Sequence, residues 1–149
     1  MRAVIQRVAK ASVEVEDRTI SSIDKGLLVL LGIGVNDSPG NHEKFADKIV
    51  NLRIFEDGSN KMNLSLLDVA GELLLVSQFT LFSDVKRGRR PSFTMAAQPE
   101  KALEIFNEFS NYLETFNIKV RKGEFGANMK VSLCNCGPVT IVIDEDRDL

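Results

Sequence analysis

The alternation of apolar and polar residues along the chain predicts a protein built mainly of β-strands. Residues 27–33 (LLVLLGI) are apolar on both faces, which is typical of a strand that is covered on both sides. Residues 73–82 (LLLVSQFTLF) predict a long central strand, and Asp17-Arg18 predicts a turn between two earlier strands. The full set of predicted strands is residues 2–8, 11–16, 19–23, 27–33, 73–82, 119–121, 129–134 and 139–143.

Two helices are predicted between these strands. Ser38-Pro39 is a typical helix start, a capping residue followed by proline, and apolar residues recur at helical spacing from there to Leu52. Pro99 opens a second helix with one apolar stripe. The stripe comprises Ala102, Leu103, Phe106, Phe109, Tyr112, Leu113 and Phe116. Together the elements predict a β-rich α+β fold, in which two helices cover a mainly antiparallel, barrel-like sheet within a single domain of residues 1–149.

Composition narrows the class of protein. The 149 residues are 44% hydrophobic and 27% charged, as in ordinary globular proteins. The longest apolar run is too short to span a membrane, and the N-terminus shows no signal-peptide pattern, so we expect a cytoplasmic protein with no membrane partner. The net charge of −2 does not favour nucleic-acid binding by the whole surface. Any RNA contact must therefore come from a local basic patch.

The usual catalytic groups are missing from the sequence. His42 is the single histidine, expected at the surface, so neither a Ser-His-Asp nor a Cys-His-Asn arrangement is easy to build. Cys134 and Cys136 are expected to be small buried thiols, because the chain supplies no further ligands for a tetrahedral zinc site. The glycines of LLGIGVN lack the spacing of a dinucleotide-binding motif. We therefore expect no metal and no cofactor, and catalysis that depends on positioning and backbone dipoles.

Three polar segments interrupt apolar surroundings. Ser77, Gln78 and Thr80 lie within the predicted central strand, where the alternative is that Gln78 and Thr80 face solvent from a one-sided sheet. A basic loop follows directly, and it is either a solvated turn or a phosphate-binding site. The third segment contains Gly137-Pro138 between two apolar stretches, although proline cannot donate to a strand ladder.

These segments resemble one known family. SQFTLF at residues 77–82 and the Asn-x-Gly-Pro-Val-Thr pattern at residues 135–140 are similar to the two signature motifs of D-aminoacyl-tRNA deacylases. MRAVIQRV at the start, RPSF, AAQPEKA and FGANMKVSL extend the resemblance over nearly the whole chain in family order. The chain departs from the family at Cys136 and Asn128, where aspartate is common. Both departures bear on local hydrogen bonding beside the expected site.

The resemblance implies a homodimeric hydrolase that cleaves the ester between a D-amino acid and the terminal adenosine of tRNA. It implies a cis Gly137-Pro138 bond that enters the partner subunit's active site, rejects L isomers, and is supported by Arg7. Because glycine has no side chain to meet this obstacle, we expect glycyl-tRNA to be hydrolysed too. The implied partners are tRNA and a second copy of the chain, not DNA.

The remaining site residues are assigned by the same resemblance. Backbone N–H groups of residues 77–79 are expected to stabilise the oxyanion, with the ribose 2′-hydroxyl of the substrate assisting. Gln78 and Thr80 are assigned to positioning, since no base activates the Thr80 hydroxyl as a nucleophile. Phe125, Met129 and Asn135 are expected to bind substrate, with core packing as the alternative for the first two. The candidates for tRNA phosphates are Lys86, Arg87, Arg89 and Arg90.

Two rival interpretations stay open at this point. A non-catalytic RNA-binding module would share the basic loop but would not need a buried Ser-Gln-x-Thr segment. A general esterase would need the nucleophile–base pair that the sequence lacks.

Overall fold

The computed structural model describes residues 1–40, 42–86 and 88–149. The elements follow one another as eight strands, three α-helices and one 3-10 turn. In chain order they are β1 (Arg2–Val15), β2 (Arg18–Ile23), β3 (Gly26–Gly32), α1 (Glu43–Val50), β4 (Phe55–Glu56), β5 (Met62–Leu64), β6 (Glu72–Ser77), the 3-10 turn (Phe79–Phe82), α2 (Pro99–Glu114), β7 (Val120–Lys122), β8 (Lys130–Asp144) and α3 (Glu145–Asp148).

Strand β1 organises the main sheet. It pairs antiparallel with β2 and β3, and it also pairs antiparallel with β8 along nearly its whole length. Beyond β3 the sheet continues through β6 and β7, which are parallel to their neighbours. The result is a mainly antiparallel, barrel-like sheet with two longer helices, which confirms the predicted α+β class.

Hydrophobic cores lie on both faces of the sheet. Leu27, Val29 and Leu31 of β3 contribute to a large core under α1 and α2, whereas Leu28 contributes to a smaller core on the opposite face. Successive strand residues point to opposite faces, so a strand that is covered on both sides must be apolar throughout. The prediction that β3 is buried on both faces is therefore confirmed.

The predicted strand of residues 73–82 is wrong in its second half. β6 ends at Ser77, and the following residues form the 3-10 turn. The N–H of Gln78 makes the last ladder hydrogen bond, to the carbonyl of Leu31 at 2.7 Å. The chain then leaves the sheet, since pairing with β7 has ended at Leu75 and pairing with β3 ends at Ser77.

The predicted start of the first helix is also wrong. Helix α1 begins at Glu43, because Gly40 has a φ of +82° that a right-handed helix cannot contain. His42, expected at the surface, is buried at the helix start with Nδ1 3.5 Å from Oε2 of Glu108. Of the predicted stripe, Phe106, Phe109 and Leu113 are buried, Leu103 is exposed and the other members are half-buried, while Ile105 is buried in addition.

Two further corrections concern the strands and the thiols. The two strands predicted between residues 2 and 16 form one continuous strand, and so do the two predicted between residues 129 and 143. Cys134 is exposed and Cys136 half-buried, so neither is a core thiol; both lie on β8, which pairs only with β1. None of the described helices is long and apolar enough to cross a membrane.

Candidate active site

The turn that follows β6 exposes backbone donors. The first two N–H groups of the 3-10 turn, those of Phe79 and Thr80, have no hydrogen-bond partner among the described residues. The N–H of Gln78 is already donated to Leu31, while the Gln78 side-chain amide donates to the Thr80 hydroxyl. The segment therefore offers two free amides next to a side-chain pair that is held in place.

These groups open onto a cleft of about 400 Å³, which we call the β6 cleft. Leu31 and Ile33 form part of its apolar wall, and Ser77, Gln78 and Phe79 lie along one side. Its other side is lined mainly by small or apolar residues, among them Phe93, Ala97, Pro99 and Phe125. A concave apolar pocket with a few polar groups is typical of a small-molecule site.

Phe125 reaches the β6 cleft from the loop after β7. Its ring packs against Phe106 of α2, with centroids 5.8 Å apart. The Phe125 side chain packs on the core and also lines the cleft, so its position fits both substrate binding and core packing. The neighbouring Gly126 has a φ of +77°, a conformation that glycine adopts without strain.

Met129 lies elsewhere. It packs against the smaller core with Val76, and its sulfur would be 2.7 Å from a Cβ atom placed on Gly123. It does not line the β6 cleft. Its position corresponds to the core-packing alternative rather than to direct contact with a ligand in this cleft.

The Gly-Pro pair lies in a bulge of β8. Gln6 pairs with Thr140 and Val8 with Asn135, so the four residues 136–139 oppose Arg7 alone. The Gly137–Pro138 peptide bond is cis, and both residues are exposed. The chain thus leaves the ladder at this point, which explains how proline is accommodated within a long strand.

Asn135 closes the base of this 136–139 bulge. Its side-chain oxygen accepts a hydrogen bond from the N–H of Val139 at 2.8 Å, and its amide donates to the Val139 carbonyl at 3.0 Å. A side-chain amide therefore replaces the strand partner that Val139 lacks. This clamp occupies the amide of Asn135, which sequence reasoning had assigned to substrate.

Arg7 holds the bulge from the sheet side. The side chain is buried, and Nε donates to the Cys136 carbonyl at 3.0 Å while Nη1 donates to the Ile54 carbonyl at 2.7 Å. Nη2 lies 3.4 Å from the carboxylate of Glu56, which is more than half exposed. A Cβ atom on Gly137 would lie 2.9 Å from Nη2 of Arg7, so only glycine fits against the guanidinium.

A second, more open cleft of about 620 Å³ lies beside the bulge. We call it the bulge cleft, lined by Arg7, Lys25, Phe55, Glu56, Asp57 and Gly137 among others. The pKa of the Asp57 carboxyl is lowered because the N–H groups of Ser59 and Lys61 donate to it. The cleft therefore carries charges of both signs.

The two clefts are separate within one chain. Among the described residues they share no lining residue. Ser77 pairs with Leu31, and Leu31 pairs with Ala3, four residues along β1 from Arg7 opposite the bulge. With strands about 4.8 Å apart and about 3.4 Å per residue, three strand spacings and four residues separate the two sites by about 20 Å. Gly137 lines the bulge cleft and not the β6 cleft of its own chain.

The described parts of the basic loop, residues 84–86 and 88–92, are closed into a hairpin at their ends. Asp84 and Ser92 exchange backbone hydrogen bonds of 2.8 and 2.9 Å at its base. Lys86, Arg89 and Arg90 are exposed on it, whereas Arg87 lies outside the described residues. None of these three described cations lines the β6 cleft; Lys86 instead lines a neighbouring cavity together with Arg2, Phe82 and Asp84.

The departures from the family pattern have modest local effects. Cys136 lines the bulge cleft. Arg7 contacts its backbone carbonyl, a group that any residue at this position has. Asn128 is exposed and makes no side-chain hydrogen bond within the described part of the chain.

Sequence reasoning missed Arg2. Its guanidinium donates to the Leu81 carbonyl at 3.1 Å and to Asp144 at 2.8 Å, and it lies 4.5 Å from the centre of the Phe82 ring. Arg2 therefore fixes the end of the 3-10 turn from behind. No local pattern signals this role, because the contacts join residues that are far apart in the chain.

Comparison with known proteins places the fold and the motifs in one family. The sequence profile described as D-Tyr-tRNA(Tyr) deacylase matches residues 4–144. The chain is 55% identical over 147 residues to a D-aminoacyl-tRNA deacylase of Thermosipho africanus, and 56% identical over 147 residues to one of a Thermoanaerobacter species. In both cases 99% of each chain is covered.

Solved structures agree with the sequence relatives. A protein described as c-Myc DNA Unwinding Element Binding Protein superposes with a TM-score of 0.91 at 42% identity, over 97% of this chain and 99% of that one. A probable eukaryotic D-amino acid tRNA deacylase superposes with a TM-score of 0.81 at 17% identity, over 95% and 97% of the two chains, and so shares the fold. Because the profile and the sequence relatives cover almost the entire chain, this protein belongs to the D-Tyr-tRNA(Tyr) deacylase family of hydrolases.

Proposed function

We propose that this protein hydrolyses the ester bond of D-aminoacyl-tRNA and releases the free D-amino acid and tRNA. The observation that carries the proposal is the β6 cleft, where two unpartnered amides meet an apolar pocket of the size that a small ligand needs. Family membership supplies the substrate class, since the relatives are named for this activity.

Backbone amides provide the chemistry in this proposal. Water attacks the ester carbonyl, and the N–H groups of Phe79 and Thr80 stabilise the oxyanion of the tetrahedral intermediate. When the ester C–O bond breaks, the ribose oxygen leaves as a hydroxyl after taking a proton, and the amino acid leaves with the oxygen from water. The adjacent ribose hydroxyl assists the proton transfer. Of the amides expected from the sequence, that of Gln78 is excluded here because its N–H already donates a hydrogen bond to the Leu31 carbonyl.

Gln78 and Thr80 act as positioning residues. The Thr80 hydroxyl accepts a hydrogen bond from Gln78, and no basic side chain is among its hydrogen-bond partners in the described chain. A hydroxyl without a base is a weak nucleophile. The pair instead fixes the turn that aims the two amides.

A second copy of the chain completes the site. The Gly137-Pro138 tip is exposed and does not line the β6 cleft of its own chain, so in this proposal it borders the cleft of another molecule. A homodimer with two equivalent contacts is the simplest closed arrangement that achieves this.

The inserted tip rejects L isomers by blocking the direction of their side chain. A barrier of this kind must not yield, and the bulge is held on both sides, by the Asn135 clamp on Val139 and by Arg7 on the Cys136 carbonyl. Glycine has no side chain to obstruct, so glycyl-tRNA is accepted as well.

The exposed cations of the hairpin bind phosphates near the tRNA 3′ end, and the protein acts in the cytoplasm. No DNA partner is included, because the net charge of −2 does not favour duplex binding. One structural relative is nevertheless named for binding a DNA element, so a filter-binding assay with duplex DNA belongs among the controls.

The decisive experiment measures hydrolysis of D-tyrosyl-, L-tyrosyl- and glycyl-tRNA by the purified protein. We expect the D and glycyl esters to be cleaved and the L ester to persist at enzyme levels that clear the D ester. An RNA-binding module would bind all three without turnover, and a general esterase would cleave both tyrosyl isomers equally. Inert glycyl-tRNA would refute the account of how the L isomer is rejected.

A further inference from the structure

We propose that Phe93 and Phe79 form a stacking platform for the nucleotide that precedes the terminal adenosine of the RNA substrate. The inference rests on the proposed function and adds a binding surface outside the reaction centre. It begins from two aromatic rings that the fold leaves exposed.

The two rings meet edge to face at the rim of the β6 cleft. Their centroids are 5.1 Å apart with an interplanar angle of 71°, and 58% of Phe79 and 36% of Phe93 are exposed. Met95, two residues after Phe93 in the chain, is 50% exposed. A cluster of large apolar side chains at the mouth of a cleft costs solubility and belongs to neither core, so it indicates a contact surface.

The backbone beneath the platform is fixed at both ends. Ser92 is bonded to Asp84 across the base of the hairpin. On the other side of Phe93, the Val35 N–H donates to the Met95 carbonyl at 3.0 Å and the Ala97 N–H donates to Ile33 at 2.9 Å. A support that is already ordered loses little further entropy when a ligand binds on it.

Charge selects the occupant. Arg90 is three residues before Phe93 and therefore no more than about 10 Å away along the chain, and Lys86 and Arg89 are exposed on the same hairpin. Aromatic rings beside a basic path are the combination with which proteins bind single-stranded nucleic acid, because bases stack on the rings and phosphates follow the cations. With the aminoacyl ester inside the cleft, the next nucleotide outward meets the rim.

The test compares D-tyrosyl esters of adenosine, of cytidylyl-adenosine and of the CCA trinucleotide. For the wild-type protein we expect kcat/KM to rise about 5- to 100-fold when the cytidine is added, the range that one stacked base supplies. Phe93→Leu should lose most of this gain, and Phe93→Tyr should keep it. Met62→Ala, which alters a more exposed apolar residue on β5, serves as the control and should keep the gain.

A substrate variant makes the test independent of protein folding. Replacing the cytidine base by an abasic ribose phosphate should abolish most of the gain with the wild-type protein, because the phosphate remains but the stacking face is gone. A full gain with the abasic substrate, or with folded Phe93→Leu, overturns the proposal. The rings would belong to an interface between copies if Phe93→Leu dissociated a dimer in sedimentation while the gain persisted. If the wild-type protein cleaved none of these esters and also failed to cleave D-tyrosyl-tRNA, the proposed function itself would be refuted.

Discussion

Replacing Arg7 with methionine tests how the 136–139 bulge is held. Methionine keeps an unbranched apolar stem of similar reach, so the change removes the guanidinium and largely preserves packing. The Ile54 carbonyl then loses its donor in a buried environment, and the Cys136 carbonyl loses its donor in a part-buried one.

The magnitude follows from these two contacts. A buried acceptor that loses its partner costs about 1–3 kcal/mol. The Ile54 carbonyl should cost this much and the part-buried Cys136 carbonyl less, so we expect a loss of about 2–5 kcal/mol in the free energy of unfolding. The ion pair with Glu56 adds little, because that carboxylate is 53% exposed and lies 3.4 Å away. For a domain of this size, we expect the melting temperature to fall by roughly 5–20 °C.

Urea unfolding, followed by circular dichroism, measures the effect. Glu56→Gln is the matched control and should cost less than about 1 kcal/mol. Arg7→Lys should fall between the two, because a single ammonium group cannot span both carbonyls as the guanidinium does. Discrimination between D- and L-tyrosyl-tRNA, measured on the same preparations, should weaken in the order of the stability loss.

The reasoning would be refuted if Arg7→Met were within 1 kcal/mol of the wild type. It would also fail if Glu56→Gln were as costly as Arg7→Met, since the ion pair rather than the carbonyl contacts would then hold the bulge.

Four further outcomes are expected. Thr80→Ala should retain activity within about tenfold of the wild type in single-turnover deacylation, and a trapped acyl ester on Thr80 would contradict this. Reversal of charge at Lys86 and Arg89 together should weaken tRNA binding and reduce the slope of log K against log salt by about 1–2, and an unchanged slope would remove them from the phosphate path. Gly137→Ala should destabilise the protein in urea by about 1–3 kcal/mol, because a φ of +129° and contact with the guanidinium both disfavour a Cβ atom; a neutral effect would show that the bulge adapts. The pKa of Glu72 is lowered by hydrogen bonds, first from the Lys119 ammonium and also from the Asp24 N–H. Its stabilising contribution is therefore complete above about pH 4.3 and is lost as the pH falls through the lower folded-state pKa. Glu72→Gln should make the free energy of unfolding less dependent on pH in this range, and an unchanged pH dependence would show that the carboxylate contributes nothing.

Hydrophobic periodicity predicted those elements whose environment is uniform. β3 was recognisable because both of its faces meet a core, and α2 because one stripe meets the sheet. The error within α2 concerns Leu103 and Ile105, which lie two residues apart. Residues at this spacing do not share one face of a helix, so only one of them can meet the core, and it is Ile105.

The break after Ser77 was not visible in the pattern. A strand and a 3-10 turn can both be written with apolar residues at positions 79, 81 and 82, so composition does not separate them. Pairing with β7 ends at Leu75 and pairing with β3 ends at Ser77, and the place where each neighbour stops is not written in the residues of β6 itself.

The Gly-Pro segment shows what local patterns cannot supply. Proline predicted an interruption, but the strand continues on both sides because Asn135 provides the missing partner for Val139. The contact between Arg7 and Cys136 joins residues 129 positions apart, and only the family resemblance pointed to it.

The 136–139 bulge also separates a tip whose length can vary from flanking strand segments whose register must stay fixed. Because pairing with β1 resumes at Asn135 on one side and at Thr140 on the other, a change in the length of the tip does not invert the faces of the flanking segments. The tip can therefore be lengthened, shortened or re-shaped while the barrel beneath it keeps its hydrophobic layers, so a change at this exposed point does not require a redesign of the scaffold.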